Sequence, residues 1–271
     1  MANSRTLKFL VIGDVVGRPG RAAVSAALPL WRQSLQPDSV IINIENMAHG
    51  AGISPQTWTE AKSWQADVYT TGDHAWDNQS GLSLLADKSL PIVRPANYPN
   101  GVPGRGFHVF NLGAYQVAVI NVQGQVFFRR HALNPFHFLD ELLAHPAIKN
   151  THVKLVDFHA EATSEKRALG FHLDGRVSAV WGTHTHVPTA DAQILSRGTG
   201  YISDVGMAGG YQTVIGAAPP GPLKSFLMQM PASFDPPDAG PVEINALELE
   251  IDVNTGKTIH IAHQRRIMDD E

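Results

Sequence analysis

The sequence predicts an α/β fold in which helices cover both sides of a mixed β core. Through most of the chain, short apolar runs typical of buried strands alternate with segments of helical spacing. In the last quarter, residues 242–253 and 258–264 alternate in polarity and are joined by Asn254-Thr255-Gly256, which is typical of an antiparallel hairpin. No internal repeat or linker divides the chain, so we expect one domain over residues 1–271.

The individual elements follow from apolar periodicity and from turn or cap residues. Five apolar runs predict core strands: Leu7–Ile12, Ser39–Ile44, Asp67–Thr71, Thr151–Phe158 and Arg176–Trp181. Residues 106–122 predict two further strands that turn at Leu112-Gly113-Ala114. Helices are predicted at Ala22–Leu35 with Pro19 in a first turn, at Ser54–Trp64, at Gln79–Leu90, at His137–Ala147 and from Thr163 onward. Proline clusters predict loops at 219–222 and 235–237.

Composition limits the classes of chemistry. A chain of 271 residues with 43% hydrophobic and 17% charged residues suits a soluble domain with a large core. The absence of cysteine excludes disulfides, thiolate catalysis and Cys-type zinc sites, so a metal would need His, carboxylate or amide ligands. The net charge of −4 gives no electrostatic footprint for duplex nucleic acid, although it allows a small nucleotide substrate.

Targeting signals are not evident in the sequence. The N-terminal apolar run is interrupted by Lys8 and closed by Gly13-Asp14, and it lacks the length and cleavage pattern of a signal peptide. No stretch approaches the length of a membrane-spanning helix. We therefore expect a cytoplasmic protein with no membrane partner, and the sequence leaves open whether it forms a homo-oligomer.

Potential metal ligands follow five of the predicted strands. Ligands gather at the carboxyl ends of strands in sheets of this kind, so these side chains are expected to meet at one edge. Single examples are commonly turn formers or helix caps, but five strand ends with the same bias are hard to explain that way. The candidate ligands are Asp14, Glu45, Asn46, Asp73, His159, His184 and His186.

Seven ligands exceed the needs of one catalytic zinc ion, which typically keeps three protein ligands. They fit two ions about 3.5–4 Å apart that share a bridging carboxylate. Mixed oxygen and imidazole donors favour iron, manganese or zinc over calcium or magnesium. Such a pair would lower the pKa of a bridging water, hold a phosphate and offset the charge that develops during an in-line displacement.

His74 is the candidate general acid. It follows Asp73 directly and is expected to face the substrate, where it could protonate a departing alkoxide. The alternative is a histidine that only orients Asp73.

Several motifs together resemble the YmdB-type bacterial metallophosphoesterases, which belong to the calcineurin-like phosphoesterase superfamily. The resemblance runs in order from about residue 7 to residue 230 and rests on these segments: Gly13-Asp14-Val15-Val16-Gly17, Glu45-Asn46, residues 72–78 (GDHAWDN), residues 94–99 (RPANYP), residues 157–166 (DFHAEATSEK), Gly182-Thr183-His184-Thr185-His186, residues 204–207 (DVGM) and residues 214–216 (VIG).

The resemblance implies a four-layer α/β/β/α metallophosphoesterase sandwich with mixed sheets and a binuclear iron or manganese centre. It also implies phosphodiesterase activity on cyclic nucleotides, with the 2′,3′-cyclic compounds leading and 3′,5′-cyclic AMP included. By the same resemblance, Glu45 bridges the metals and His74 donates the proton. One departure is Asp73, where the family pattern has Asn. An ionised Asp73 would lower the positive charge of the site and tighten metal binding.

Other residues leave alternatives open. Arg94, Asn97 and Tyr98 could contact phosphate or base, but the prolines around them equally favour a turn, and no substrate-binding residue is assigned. Arg129-Arg130-His131 is expected to be a solvated face, with the substrate mouth as the alternative. Packing roles are expected for Trp76 and Trp181, and structural roles for Glu161 and Glu165.

Two functional alternatives remain beside the phosphodiesterase. One is a metal-binding scaffold or regulatory protein of low or absent activity on the same fold, and the other is a phosphomonoesterase. Fold alone does not decide between them.

Overall fold

The computed structural model describes residues 5–269. Part of the N-terminal segment considered above for a signal peptide, residues 1–4, lies outside this range. None of the helices in residues 5–269 is both long and apolar enough to cross a membrane.

The described residues form fourteen strands and seven α-helices. The strands are β1 (Thr6–Ile12), β2 (Asp14–Val15), β3 (Ser39–Asn43), β4 (Val68–Thr70), β5 (Ile92–Val93), β6 (Phe107–Leu112), β7 (Tyr115–Gln123), β8 (Val153–His159), β9 (Ala179–Thr183), β10 (Gln193–Ile194), β11 (Gly200–Ile202), β12 (Met207–Gly210), β13 (Val242–Asp252) and β14 (Lys257–Met268). The helices are α1 (Gly17–Leu35), α2 (Pro55–Ser63), α3 (Leu82–Ala86), α4 (Pro135–Leu143), α5 (Pro146–Lys149), α6 (Thr163–Leu173) and α7 (Pro220–Met228).

Two mixed sheets form the centre of the fold. The first has the order β2-β12-β13-β1-β3-β4-β5, with β14 paired to β13, and the second has the order β10-β11-β9-β8-β7-β6. Strands β1, β3, β4 and β5 run parallel, as do β7, β8, β9 and β11. The carboxyl ends of the parallel strands carry the predicted ligands.

Each sheet is apolar on both faces, which produces four layers. In β1, Leu10 and Ile12 join the core under α1 and α2, whereas Phe9 and Val11 join the core between the two sheets. A third core lies between the second sheet and helices α4–α6, and Leu139, Ile148 and Leu169 contribute to it. The predicted α/β/β/α sandwich with mixed sheets is therefore confirmed.

Most element predictions are confirmed, including the two strands around Gly113 and the C-terminal hairpin. Ser54 caps α2 as expected, because its hydroxyl accepts from Thr57 N at 3.2 Å while Thr57 Oγ1 accepts from Ser54 N at 2.9 Å.

Three predictions were wrong. The helix predicted at Gln79–Leu90 is a 3₁₀ turn, Gln79–Gly81, followed by the short α3, because Asp87 accepts from Ser89 N and Oγ and forms a local turn. The helix predicted at His137–Ala147 breaks before Pro146, which cannot continue α4 and instead begins α5. The prolines at 219–222 form the start of α7 rather than a loop, since a first helical turn needs no proline N–H.

Candidate active site

The carboxyl edge of the two sheets gathers the predicted ligands from distant parts of the sequence. Glu45, Asp73, His159 and His184 each place one ligand atom within 4.8 Å of the others. The short β4 and the parallel pairing of β8 with β9 bring this about, since register places His159 opposite Thr183, the residue before His184. All but Asp73 and His184 are fully buried.

His159 lies at the centre of this cluster. Its Nε2 atom is 3.2 Å from Glu45 Oε1, 3.1 Å from Asp73 Oδ1 and 3.1 Å from His184 Nδ1. Burial opposes the charged imidazole, but the carboxylates of Glu45 and Asp73 raise the pKa of His159 well above its usual value. Burial alone would raise the pKa of Glu45, and the adjacent His159 lowers it instead.

A buried relay fixes the orientation of His159. Thr183 Oγ1 donates to Asp157 Oδ1 at 2.7 Å and therefore accepts from His159 Nδ1, 2.9 Å away. Without a cation, the raised pKa favours a second proton on Nε2, shared with the carboxylates of Glu45 and Asp73. A cation between these groups would displace that proton, and the neutral ring, with its remaining proton on Nδ1, would offer it the Nε2 lone pair. This is the tautomer a metal ligand needs, and the relay is the kind of outer hydrogen bonding that orients metal-bound histidines.

The other three predicted ligands lie beside this cluster. Asp14 Oδ2 accepts from His184 N at 3.1 Å, and Asn46 Nδ2 donates to Gly50 O at 2.9 Å, which leaves the Asn46 amide oxygen free. His186 Nδ1 donates to Ile215 O at 2.7 Å, so its Nε2 atom is also available. Burial raises the pKa of Asp14, while the nearby His186 and His159 act against that shift.

The buried oxygens of the cluster and its neighbours have the properties of a cation site. Within residues 5–269, the buried oxygens Asp14 Oδ1 and Asn46 Oδ1 have no hydrogen-bond partner, and Glu45 Oε1 is approached by His159 Nε2 at 3.2 Å. Such oxygens are costly to bury unless something satisfies them. Together with imidazole lone pairs they form the mixed oxygen and nitrogen donor set expected for iron, manganese or zinc.

The loop that presents His184 and His186 is strained and firmly held. Both residues have positive φ angles, 96° for His184 and 65° for His186, which ordinary side chains rarely adopt. Asp204 holds the loop between them, because its Oδ2 atom accepts from Thr185 N at 3.2 Å and from Thr185 Oγ1 at 2.7 Å. Lys166 Nζ, also buried, pairs with the same oxygen at 2.6 Å.

His74 is placed beside the cluster with one third of its side chain exposed. Its backbone N–H donates to Glu45 Oε2 at 3.2 Å, and its Nδ1 lies 2.7 Å from Asp77 Oδ2. Burial opposes the charged imidazole, but Glu45, Asp73 and the hydrogen bond with Asp77 raise the pKa of His74. The ring is therefore held by Asp77 at one nitrogen and free at the other.

Sequence reasoning missed Arg130 and Asp77. Arg130 is exposed, as expected for a solvated face, but its Nη1 atom also donates to Asp73 O at 2.6 Å and its Nη2 atom pairs with Asp77 Oδ1. Arg130 thus ties the 125–131 segment to the turn that carries Asp73 and His74. In the sequence, only the pair Arg129-Arg130 pointed to this contact, and its acidic partner Asp77 is more than fifty residues away.

Glu161 and Phe128 also belong to the site. Glu161 was expected to be structural, but its Oε2 atom lies 3.1 Å from His184 Nε2. The Phe128 ring packs 4.8 Å from the His184 ring, centre to centre. Glu165 is structural as expected, since it accepts from the backbone N–H groups of Gln125 and Val126.

The remaining candidates serve the scaffold. Arg94 donates to the backbone oxygen of Pro95 at 2.6 Å, and Asn97 Nδ2 donates to the oxygens of Gln123 and Leu133. The Tyr98 ring packs 4.7 Å from Trp76, and Trp181 is fully buried between the sheets. These side chains shape turns and cores rather than the site.

A cavity of about 240 Å³ opens at the cluster. Its lining consists of Glu45, Asn46, His74, Glu161, His184, Thr185, His186 and Ile215. The cavity therefore brings the predicted general acid and several of the predicted ligands into one solvent-accessible space.

Comparison with protein families matches residues 10–264 to the family described as YmdB-like protein. The 2′,3′-cyclic-nucleotide 2′-phosphodiesterase of Bacillus subtilis (strain 168) is 41% identical over 266 residues, covering 98% of either chain. A putative phosphatase/phosphodiesterase of Mycoplasma pneumoniae is 36% identical and covers all of this chain and 96% of the relative.

Solved structures show the same fold. A hypothetical protein from Thermus thermophilus superposes with a TM-score of 0.89 at 39% identity, covering 97% of this chain and 100% of that chain. A novel phosphatase from Mycoplasma pneumoniae superposes with a TM-score of 0.92 at 35% identity, covering 98% of this chain and 95% of that chain. A putative 5′-nucleotidase from Staphylococcus aureus, 14% identical with a TM-score of 0.61, shares the fold alone.

Proposed function

The chain belongs to the YmdB-like protein family, and on that premise we propose that it is a metal-dependent phosphodiesterase acting on cyclic nucleotides. The observation that carries the proposal is the cluster of Glu45, Asp73, His159 and His184, with unpaired buried oxygens beside it and His74 at its edge. Since the curated relative at 41% identity is named a 2′,3′-cyclic-nucleotide 2′-phosphodiesterase, we take 2′,3′-cyclic nucleotides as the leading substrates and 3′,5′-cyclic AMP as a further one.

We assign the donors to two cation positions. Asp73, His159 and His184 would serve one position, Asp14, Asn46 and His186 the other, and Glu45 would lie between them. Two such ions supply Lewis acidity, which lowers the pKa of water and neutralises phosphate charge. Iron or manganese fits the donor set best, and zinc also fits.

The chain's own residues would then orient and protonate the substrate. The relay from Asp157 through Thr183 would keep a proton of His159 on Nδ1, so that Nε2 is the atom offered to a cation. His74, held by Asp77, would give a proton from its free Nε2 atom to the departing ribose oxygen. Arg130 would keep that histidine in place by anchoring both Asp77 and the backbone of Asp73.

The test compares substrates and leaving groups. The parental protein should hydrolyse 2′,3′-cyclic AMP and bis(p-nitrophenyl) phosphate faster than p-nitrophenyl phosphate. His74→Ala should lower kcat by roughly 10²–10⁴-fold on the cyclic nucleotide. The loss should be much smaller with nitrophenolate, which leaves without a proton. His137→Ala, which removes an exposed histidine on α4, is the matched control and should change neither rate.

Each other result identifies a rival. A monoester preferred over both diesters would show a phosphomonoesterase. Absence of hydrolysis at full metal occupancy would show a metal-binding scaffold. Equal losses on both diesters in His74→Ala would remove the general-acid role and leave the residue a positional one.

A further inference from the structure

A second cavity lies at the opposite end of the second sheet from the candidate active site. Its volume is about 390 Å³, and it is formed by the residues before β8 and β9, the loop between β10 and β11 and the turn between β13 and β14. The active-site histidines follow the other ends of β8 and β9. Seven residues of β8 separate the two sites by roughly 20 Å.

All the charged side chains that line this cavity are positive. Its charged side chains are Lys149, Lys154, Arg176, Arg197 and Lys257, and no Asp or Glu is among the lining residues. Arg176 is paired with Asp140 at 2.6 Å, whereas the other four cations have no carboxylate within 4.0 Å in residues 5–269. A chain with a net charge of −4 therefore concentrates unpaired positive charge in one concave place.

Nearby acidic groups are already engaged elsewhere. Asp174 accepts from the backbone N–H groups of Arg197 and Thr199 and from Ser196 Oγ. Asp252 accepts from the backbone N–H groups of Asn254 and Thr255. These carboxylates shape the two loops of the cavity, and the cationic side chains of Arg197 and Lys257 stay unneutralised.

The local packing holds the cations at the cavity. The Arg197 side chain covers Gly175, so a Cβ atom built there would meet it at 2.8 Å, and Lys257 covers Gly198 with an equivalent distance of 2.7 Å. Lys154 is half-buried, and its Nζ atom donates to Thr151 O at 2.8 Å on the cavity floor. Burial lowers the pKa of Lys154, which an incoming anion would reverse.

We propose that this cavity binds a small ligand with two or more adjacent phosphate groups, such as a nucleoside di- or triphosphate or inorganic polyphosphate. The volume is in the range of small-ligand sites, and four unpaired cations match several adjacent negative charges. Recognition is of the phosphate chain, because His152 is the one aromatic ring in the lining and its Nδ1 atom already accepts from Gln116 N. The proposal does not depend on the function proposed for the active site.

The test measures binding by titration calorimetry on the purified protein with magnesium in excess. The probes are ATP, ADP, inorganic tripolyphosphate and AMP. ATP and tripolyphosphate should bind, and AMP should bind at least about tenfold more weakly, because it offers a single phosphate to the same cations. Equal affinity for ATP and tripolyphosphate would identify the phosphate chain as the whole ligand, and tighter ATP binding would identify a nucleotide.

Paired variants locate the site. Arg197→Gln with Lys257→Gln should weaken ATP or tripolyphosphate binding about tenfold or more, whereas Arg197→Lys should retain most of it. The control, Lys62→Gln with Lys88→Gln, removes the same charge from exposed positions elsewhere and should leave the affinity unchanged. His184→Ala should also leave it unchanged, since that residue belongs to the other site.

Four results would overturn the proposal, three of them in the experiments above. Those three are no binding of either polyphosphate probe, an equal loss in the Lys62 and Lys88 control, and a loss confined to His184→Ala. Binding of single-stranded RNA without binding of tripolyphosphate or ATP would also overturn it, because the surface would then serve a macromolecule.

Discussion

Thr183→Val removes the hydroxyl that connects His159 to Asp157 and changes little else. All three side chains are fully buried, and the hydroxyl takes part in two hydrogen bonds of 2.9 and 2.7 Å. Valine has nearly the same volume, so the core between β8 and β9 should keep its packing. The variant therefore isolates the effect of the relay on His159.

The expected loss of stability in Thr183→Val follows from those two hydrogen bonds. When Asp157 is ionised, its hydrogen bond with Thr183 contributes about 1.5–3 kcal/mol to the free energy of unfolding, and the bond from His159 contributes about 0.5–1.5 kcal/mol. Burial raises the pKa of Asp157 to about 7, and the hydrogen bond from Thr183 acts against that rise. Protonation of Asp157 in the variant would recover part of the loss. The remaining effect on His159 should weaken metal binding roughly 10–100-fold, as outer hydrogen bonds to metal ligands typically do.

The assay is a competition titration of Mn²⁺ between the protein and a chromophoric chelator, which reads metal affinity without catalysis. Thr183→Ser should stay near the parental affinity because it keeps the hydroxyl. Thr258→Val is the matched control, since it removes another buried hydroxyl that donates to Ser178 O at 2.7 Å. An unchanged Mn²⁺ affinity in Thr183→Val, with thermal stability no worse than that of Thr258→Val, would refute the relay.

Two further predictions concern charge. Asp73→Asn should bind Mn²⁺ more weakly, because an amide oxygen replaces a carboxylate beside His159, yet match or exceed the parental kcat/KM on a phosphodiester at saturation; a many-fold slower variant with confirmed occupancy would show another role for Asp73. Burial lowers the pKa of His108 on β6 to about 4 from the usual 6.5. Between these two pH values the unfolded chain binds a proton at His108 that the folded chain does not bind. The free energy of unfolding should therefore fall as the pH drops through that window. After allowance for partial exposure the effect is about 1 kcal/mol. The prediction would be contradicted if the free energy of urea unfolding changed by the same amount in the parent and in His108→Phe between pH values of about 5 and 7.5.

The sequence predicted the layers and the convergence of Glu45, Asp73, His159 and His184 for the same physical reason. Apolar runs such as Leu7–Ile12 are buried on both faces, so they signal core strands directly. In parallel strands the chain direction also fixes which end carries the site, so residues following separate strands could be placed together before any contact was known.

What the sequence could not predict depends on contacts between distant segments. The pairing of Arg130 with Asp77, the contact of Glu161 with His184 and the relay from Thr183 to Asp157 need the register of neighbouring strands. The second cavity was even harder to predict, because its positively charged residues are spread along the sequence from Lys149 to Lys257. The predicted helix at Gln79–Leu90 ended too late because the Asp87 side chain forms a hydrogen bond with Ser89 N, and this turn competes with helical backbone hydrogen bonds.

The most direct test of the central claim is the rate of 2′,3′-cyclic AMP hydrolysis by chelator-stripped protein during titration with Mn²⁺. The ligand assignment predicts no hydrolysis without metal and a rise that levels off near two ions per chain, as expected for a paired site. In His184→Ala, the same titration should leave most hydrolysis absent, with one position weakened. Full activity in protein shown by elemental analysis to be metal-free, or a plateau at one ion per chain, would contradict the binuclear account.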